Sequence, residues 1–130
     1  MILFIDTSDF NALTFSLVKD GIVKFFNSSV AFNENYKTNE LLQKFLKREK
    51  VKLTSLEKVI VCSGPGSFTG VRVGVALAQA LGFGLNIPVI VIPKSKVPKD
   101  MGKLTAVKGG KTLTMNYGQK PNITTSKKKK

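Results

Sequence analysis

"VIVCSGPGSFTGVRVGVALAQALGFGL", residues 59–85, is the stretch whose reading decides the fold. Its first four residues, Val59 to Cys62, have the composition of a buried strand. The run stops on a loop with three glycines and a proline, Gly64 to Gly70. Beyond the loop the pattern predicts a helix over about 71–85, with Arg72 as its one charge. A strand, a glycine loop and a helix in that order aim backbone N–H groups outward at a helix N-terminus, which makes a generic anion site. Ser67, Thr69 and Arg72 would add donors. The loop is no Walker loop, because it lacks the Gly-Lys-Ser/Thr ending, and its glycine spacing is not that of a dinucleotide fingerprint. The glycines equally serve a chain that needs positive φ and close packing. On the residues alone both readings stay open.

The helix carries a second pattern. Gly70, Gly74, Ala78 and Gly82 recur every four residues, so they form one ridge almost without side chains. Each interior glycine costs about 0.5–1 kcal/mol relative to alanine. A close neighbour must offset that cost, either another helix of the same domain or a helix from a second chain. Val71, Val75, Leu77, Leu81 and Leu85 spread over the remaining surface. A helix apolar almost all round calls for burial on nearly every side. The chain up to Pro93 is short for that task, so a partner is expected to cover part of it.

Working outward, "ILFIDT" (2–7) reads as a strand and "SDFN" (8–11) as a turn. "ALTFSLV" (12–18) alternates Leu13, Phe15 and Leu17 on one face. Asp20-Gly21 then marks a tight turn before "IVKFFNSSV". The opening is a three-stranded meander. "TNELLQKFLKRE" (38–49) reads as an amphipathic helix with Leu41, Leu42, Phe45 and Leu46 on its apolar stripe. "LTSLEK" (53–58) holds at most one helical turn, and "IPVIVI" (87–92) is another buried strand. The order β-β-β-α-β-α-β gives an α/β layered lobe over residues 1–93. After Pro93 the period is lost. Residues 94–130 read as a basic extension, with a small hairpin over 103–117 around Gly109-Gly110 and a disordered tail.

Charge divides the chain at the same place. Residues 1–93 hold ten Lys/Arg against seven Asp/Glu, whereas residues 94–130 hold eleven Lys against Asp100 alone. Most of the net charge of +13 therefore lies in the last 37 residues. Such a segment either attracts a polyanion, with RNA the obvious one, or keeps a small protein soluble. No His is present, which removes Ser-His and Cys-His chemistry and the commonest metal ligand. Catalytic and metal residues are expected to be absent, and no cofactor is called for. The single Cys62 and the lack of a basic, apolar leader point to the cytoplasm. No uninterrupted apolar run reaches the 18 to 20 or so residues of a membrane span.

"FIDTS" followed by "SGPGSFTGVRVGVALAQALGFGLNIPVIVI" resembles the N-terminal domain of the TsaB (YeaZ) family, from Met1 to about Pro93. The resemblance implies an actin/sugar-kinase-like (ribonuclease H-like) lobe. It also implies a non-catalytic scaffold for the paralogue TsaD, which works with the ATPase TsaE to place threonylcarbamoyl on the adenosine beside the tRNA anticodon. On that footing the first and second helices would pack against those of TsaD, or form a homodimer in its absence, and tRNA would be engaged indirectly. The implied interface is Leu41, Leu42, Phe45, Gly70, Arg72, Gly74, Val75, Ala78, Leu81 and Gly82. Two departures stand out. The family usually continues into a second lobe, and the His that precedes its first helix is Thr38 here.

Asp6, Thr7 and Ser8 have two readings. In actin-like folds an Asp and hydroxyls at the first hairpin meet nucleotide phosphate, and Ser67 and Thr69 would join them. The plainer reading is that Asp6 caps its own turn and Ser8 bonds it locally. The alternatives to a scaffold are a stand-alone phosphate- or nucleotide-binding protein and an RNA-binding module acting through the basic tail.

Overall fold

Strand periodicity sorts the apolar residues onto two faces of one sheet. In the computed structural model, which describes residues 1–9, 11–29, 37–106 and 111–113, the strands are β1 (Ile2–Asp6), β2 (Ala12–Lys19), β3 (Ile22–Ser29), β4 (Lys58–Cys62), β5 (Val89–Ile92) and β6 (Lys111–Leu113). The sheet order is β3-β2-β1-β4-β5-β6. β1 runs antiparallel to β2, with Leu3 opposite Leu17, and parallel to β4, with Leu3 opposite Val59. β5 is parallel to β4. The β2–β3 hairpin closes through Asp20 (φ 52°) and Gly21 (φ 78°), two left-handed residues that match the strand twist.

Both helices, α1 (Lys37–Arg48) and α2 (Phe68–Leu85), lie on one face. There Leu3, Ile5, Leu13, Phe15, Val59, Val61 and Val89 form the main core with Leu42, Phe45 and Leu46 of α1 and Ala78 of α2. Phe45 stacks with Phe15 at 6.3 Å between ring centroids, and Phe26 joins them at 5.7 Å from Phe45. Arg48 covers this cluster, with its guanidinium 5.4 Å from the Phe45 centroid and Nη2 donating to the Phe25 carbonyl at 2.7 Å. The opposite face holds Ile2, Phe4, Val18, Ile60, Cys62 and Ile92.

That second face changes the reading of residues 94–106. They are not an extension apart from the lobe. Two 3-10 turns, Lys94–Lys96 and Met101–Ala106, lie across the sheet, where Leu104 is fully buried and Val97 and Met101 pack against it. The hairpin expected over 103–117 is also corrected. Residues 101–106 are 3-10, and β6 pairs antiparallel with β5, Val89 opposite Leu113, because the edge of β5 offers a ready partner. Residues 107–110 and the tail from 114 onward lie outside the described residues.

Helix α2 starts at Phe68, three residues before the expected start. Ser67 is its N-cap, with Oγ accepting from the Gly70 amide at 3.0 Å. It ends at Asn86, whose left-handed φ of 56° lets its N–H reach the Gly82 and Phe83 carbonyls. At 18 residues and a mean hydropathy of 1.4, α2 has the length and composition of a membrane span, contrary to the reading by uninterrupted runs. Its four buried small residues, Gly70, Gly74, Ala78 and Gly82, seat it on the sheet.

Candidate functional site

The C-terminal ends of β1 and β4 meet the N-terminus of α2, and this junction gathers Asp6, Thr7, Ser8, Ser67 and Gly64 to Gly70. The chain folds so because the glycines admit backbone where side chains would collide. A Cβ on Gly66 would stand 2.0 Å from the Ser8 carbonyl oxygen, and one on Gly70 would stand 2.1 Å from that of Thr7. The Ser67 amide donates to the Ser8 carbonyl at 2.7 Å, and Ser63 N–H to Ile92 at 2.8 Å, which ties the loop to both neighbouring strands. Gly64 takes φ 91°.

Four of the candidate phosphate ligands come together, but they are engaged within the fold. The Ser8 amide and hydroxyl both donate to Asp6 Oδ1, at 2.9 and 2.6 Å. The Thr7 hydroxyl is buried and donates to the Gly70 carbonyl. Ser67 Oγ is engaged by the helix cap. Thr69 is exposed at the helix start, away from this knot. Cys62 sits beneath, its thiol 3.9 Å from Ser8 Oγ, and burial pushes its pKa up, so it is a poor nucleophile. Among the described residues no three Cys, Asp or Glu side chains converge as a metal-binding group.

The glycine ridge requires a correction. Gly70, Gly74, Ala78 and Gly82 are the buried residues of α2, and they face the protein's own sheet. A Cβ on Gly74 would lie 2.2 Å from Thr7 Oγ1, and one on Gly82 would lie 2.4 Å from Val89 Cγ2. The ridge thus seats α2 directly on β1, β4 and β5, and offers nothing to a second chain. Leu42 and Phe45 of α1 are likewise spent on the main core. Leu41, Val75 and Leu81 are partly buried along its margin. Arg72 is exposed, with its guanidinium 5.4 Å above the Phe68 ring.

What remains is the outer side of α2, which periodicity alone passed over. Phe68 is 74% exposed and Phe83 48%. An open groove of about 740 Å³ runs along Phe68, Arg72, Val75, Ala76 and Gln79. The signal was available: Ala76 and Gln79 lie across the helix from the ridge, where a solvated helix would carry charges. Arg72 is the one charge there.

Comparison with known proteins shows the family and the fold. The family model described as "TsaD: tRNA N6-adenosine threonylcarbamoyltransferase" matches residues 31–119. The chain is 32% identical over 91 residues to the tRNA threonylcarbamoyladenosine biosynthesis protein TsaB of Bacillus subtilis, covering 70% of this chain and 40% of that protein. It is 34% identical over 89 residues to TsaB of Escherichia coli, covering 68% and 38%. The chain belongs to the TsaB (YeaZ) family, which shares its fold with TsaD. In structure it is similar to YeaZ from Pseudomonas aeruginosa, with a TM-score of 0.67 at 25% identity over 74% of this chain and 45% of that one. The expected ribonuclease H-like, actin-like lobe is therefore the fold observed. The chain spans about two-fifths of the length of the TsaB proteins it matches.

Proposed function

We propose that the chain is a non-catalytic subunit in tRNA threonylcarbamoyladenosine biosynthesis, binding a TsaD-like paralogue in the cytoplasm. The TsaB relatives carry that pathway in their names. One observation carries the reading at the level of chemistry: α2 fully buries only its four small ridge residues, leaves its valines and leucines half-buried, and exposes the Phe68 and Phe83 rings. An apolar helix face left open beside a groove is what a helical partner covers. The proposed surface is Phe68, Arg72, Val75, Ala76 and Gln79, flanked by Leu41 and Leu81 at the core margin. Without the paralogue, two copies would meet through the same face. A TsaE-like ATPase would join through the paralogue, and tRNA would be modified by it.

The donor set supports the non-catalytic reading. The chain has no His, the thiol is buried, Ser8 donates to Asp6, and the Thr7 hydroxyl donates to the Gly70 carbonyl. A stand-alone nucleotide-binding enzyme would need those groups free. Co-expression with a TsaD-like paralogue tests the reading. The full chain should be retained by the tagged paralogue, and Ala76→Arg should abolish retention while the far-UV spectrum stays unchanged. ATP turnover by the chain alone, lost in Asp6→Ala, would overturn it.

A further inference from the structure

The segment after β5 has a chemistry of its own, and the partner surface above does not use it. Pro93 leaves the end of β5, and the chain crosses the face opposite the helices until Gly102 meets the β2–β3 turn, where its added Cβ would lie 3.0 Å from the Gly21 carbonyl. The crossing passes β4, β1 and β2, three strand spacings or roughly 14 Å. Its side chains divide by class. Val97, Met101 and Leu104 point to the sheet. Lys94, Lys96, Lys99 and Lys103 are all exposed, and none is in an ion pair among the described residues. The one acid, Asp100, turns its Oδ1 to the Gly102 amide at 3.0 Å. An exposed aromatic ring shares this face, where Phe4 is buried. Phe25 lies opposite Ser16 on β2, two residues from the Val18–Val23 pair that packs against Leu104, and it is 50% exposed. Met101–Ala106 lies against β2 and β3, so the ring and the strap are neighbours.

We infer that residues 94–106 and the Phe25 ring form an RNA-binding surface on the side of the sheet opposite the partner helices. The inference rests on the subunit reading for its choice of RNA. Four fixed lysines across that width suit several phosphates, and an exposed ring beside them suits an unstacked base. A bilayer is a poorer match, because the apolar side chains of the strap are directed into the protein and leave no face to insert. The two faces would then divide the work, with protein bound on one side and RNA on the other.

The test uses the full chain and an unmodified tRNA transcript, with binding followed across a salt series. Changing Lys94, Lys96, Lys99 and Lys103 together to Gln should weaken binding at least tenfold and flatten the slope of log K against log salt by about 3, at roughly 0.7 per lost contact. Phe25→Ser should weaken it by roughly tenfold with the salt slope unchanged. Deleting Ser126–Lys130 should cost less than the strap variant. Acetylation footprinting on the unaltered protein guards against misfolding: tRNA should protect the four strap lysines. Protection confined to Lys127–Lys130, an unchanged slope in the strap variant, or preference for phosphatidylserine vesicles over tRNA would each overturn the inference. Retention by the TsaD-like paralogue is measured on the same variants. A strap variant that loses tRNA but keeps the paralogue separates this surface from the partner face. A chain that binds tRNA through the strap but never binds the paralogue would sink the subunit reading alone.

Discussion

Helices α1 and α2 lie on the same face of the same sheet and use it in opposite ways. α1 is amphipathic: it sends Leu42, Phe45 and Leu46 into the core and keeps Gln43, Lys44 and Lys47 in water. α2 is apolar on all sides, yet it buries only Gly70, Gly74, Ala78 and Gly82. The smaller the inward residues, the closer the helix sits and the more apolar bulk it presents outward. Hydrophobic content therefore measures burial in α1 and does not in α2. In α2 the excess stays at the surface, where the proposed partner would cover it.

The comparison can be broken first at α1. Phe45→Ala removes a fully buried ring that packs against both Phe15 and Phe26, and should cost about 3–5 kcal/mol in a denaturant titration. A loss under 1 kcal/mol would mean that α1 is not the large-residue anchor described. The matching change on α2 adds bulk. Gly74→Val drives a branched side chain into Thr7, and should cost about 1–3 kcal/mol or prevent folding. If Gly74→Val folded with an unshifted midpoint and instead lost the partner, the ridge would be the interface after all.

Smaller effects come from two titrating groups. The N-terminal ammonium of Met1 bonds Glu57 and holds its carboxyl below the usual carboxylate range. A depressed carboxyl stabilises the fold above its unfolded pKa, near 4.3, and that contribution is lost as pH falls through the folded value. Glu57 is exposed, so Glu57→Gln should flatten the acid limb of the stability curve only slightly. Cys62 works in the other direction. Its thiol is raised by burial, so the folded chain holds the proton that the unfolded chain releases. Stability then declines as pH rises past about 8.5, and Cys62→Ala should remove that alkaline slope. Rapid reaction of Cys62 with a thiol reagent in the native state would contradict the burial.

Much of this was legible in the residues. The meander followed from the alternation of Leu13, Phe15 and Leu17 and from Asp20-Gly21, and α1 from its leucine stripe. The family motif placed the glycine loop. The ridge was visible as spacing, but spacing alone does not say which way it faces. That depends on Thr7 and Val89, which only the folded sheet brings within reach of Gly74 and Gly82. The fate of residues 94–106 was hidden for a related reason. Val97, Met101 and Leu104 stand four and three apart, as on one helix face, but Pro98 and two short 3-10 turns break the segment, so three apolar residues with no helix around them were too weak a sequence signature for their common inward direction. Phe68 was passed over because it sits in a loop motif in sequence and on the first turn of a helix in structure.

The central claim is that α2 keeps its ridge for the sheet and its outer face for a partner. Its most direct test measures the dissociation constant for a TsaD-like paralogue and the denaturation midpoint on one variant, Ala76→Arg. Ala76 is exposed beside the groove, so the substitution should shift stability by less than about 0.5 kcal/mol. It should weaken binding roughly tenfold to hundredfold, because a charge would be buried without a mate. A stable Ala76→Arg chain that binds the paralogue with unchanged affinity would contradict the account.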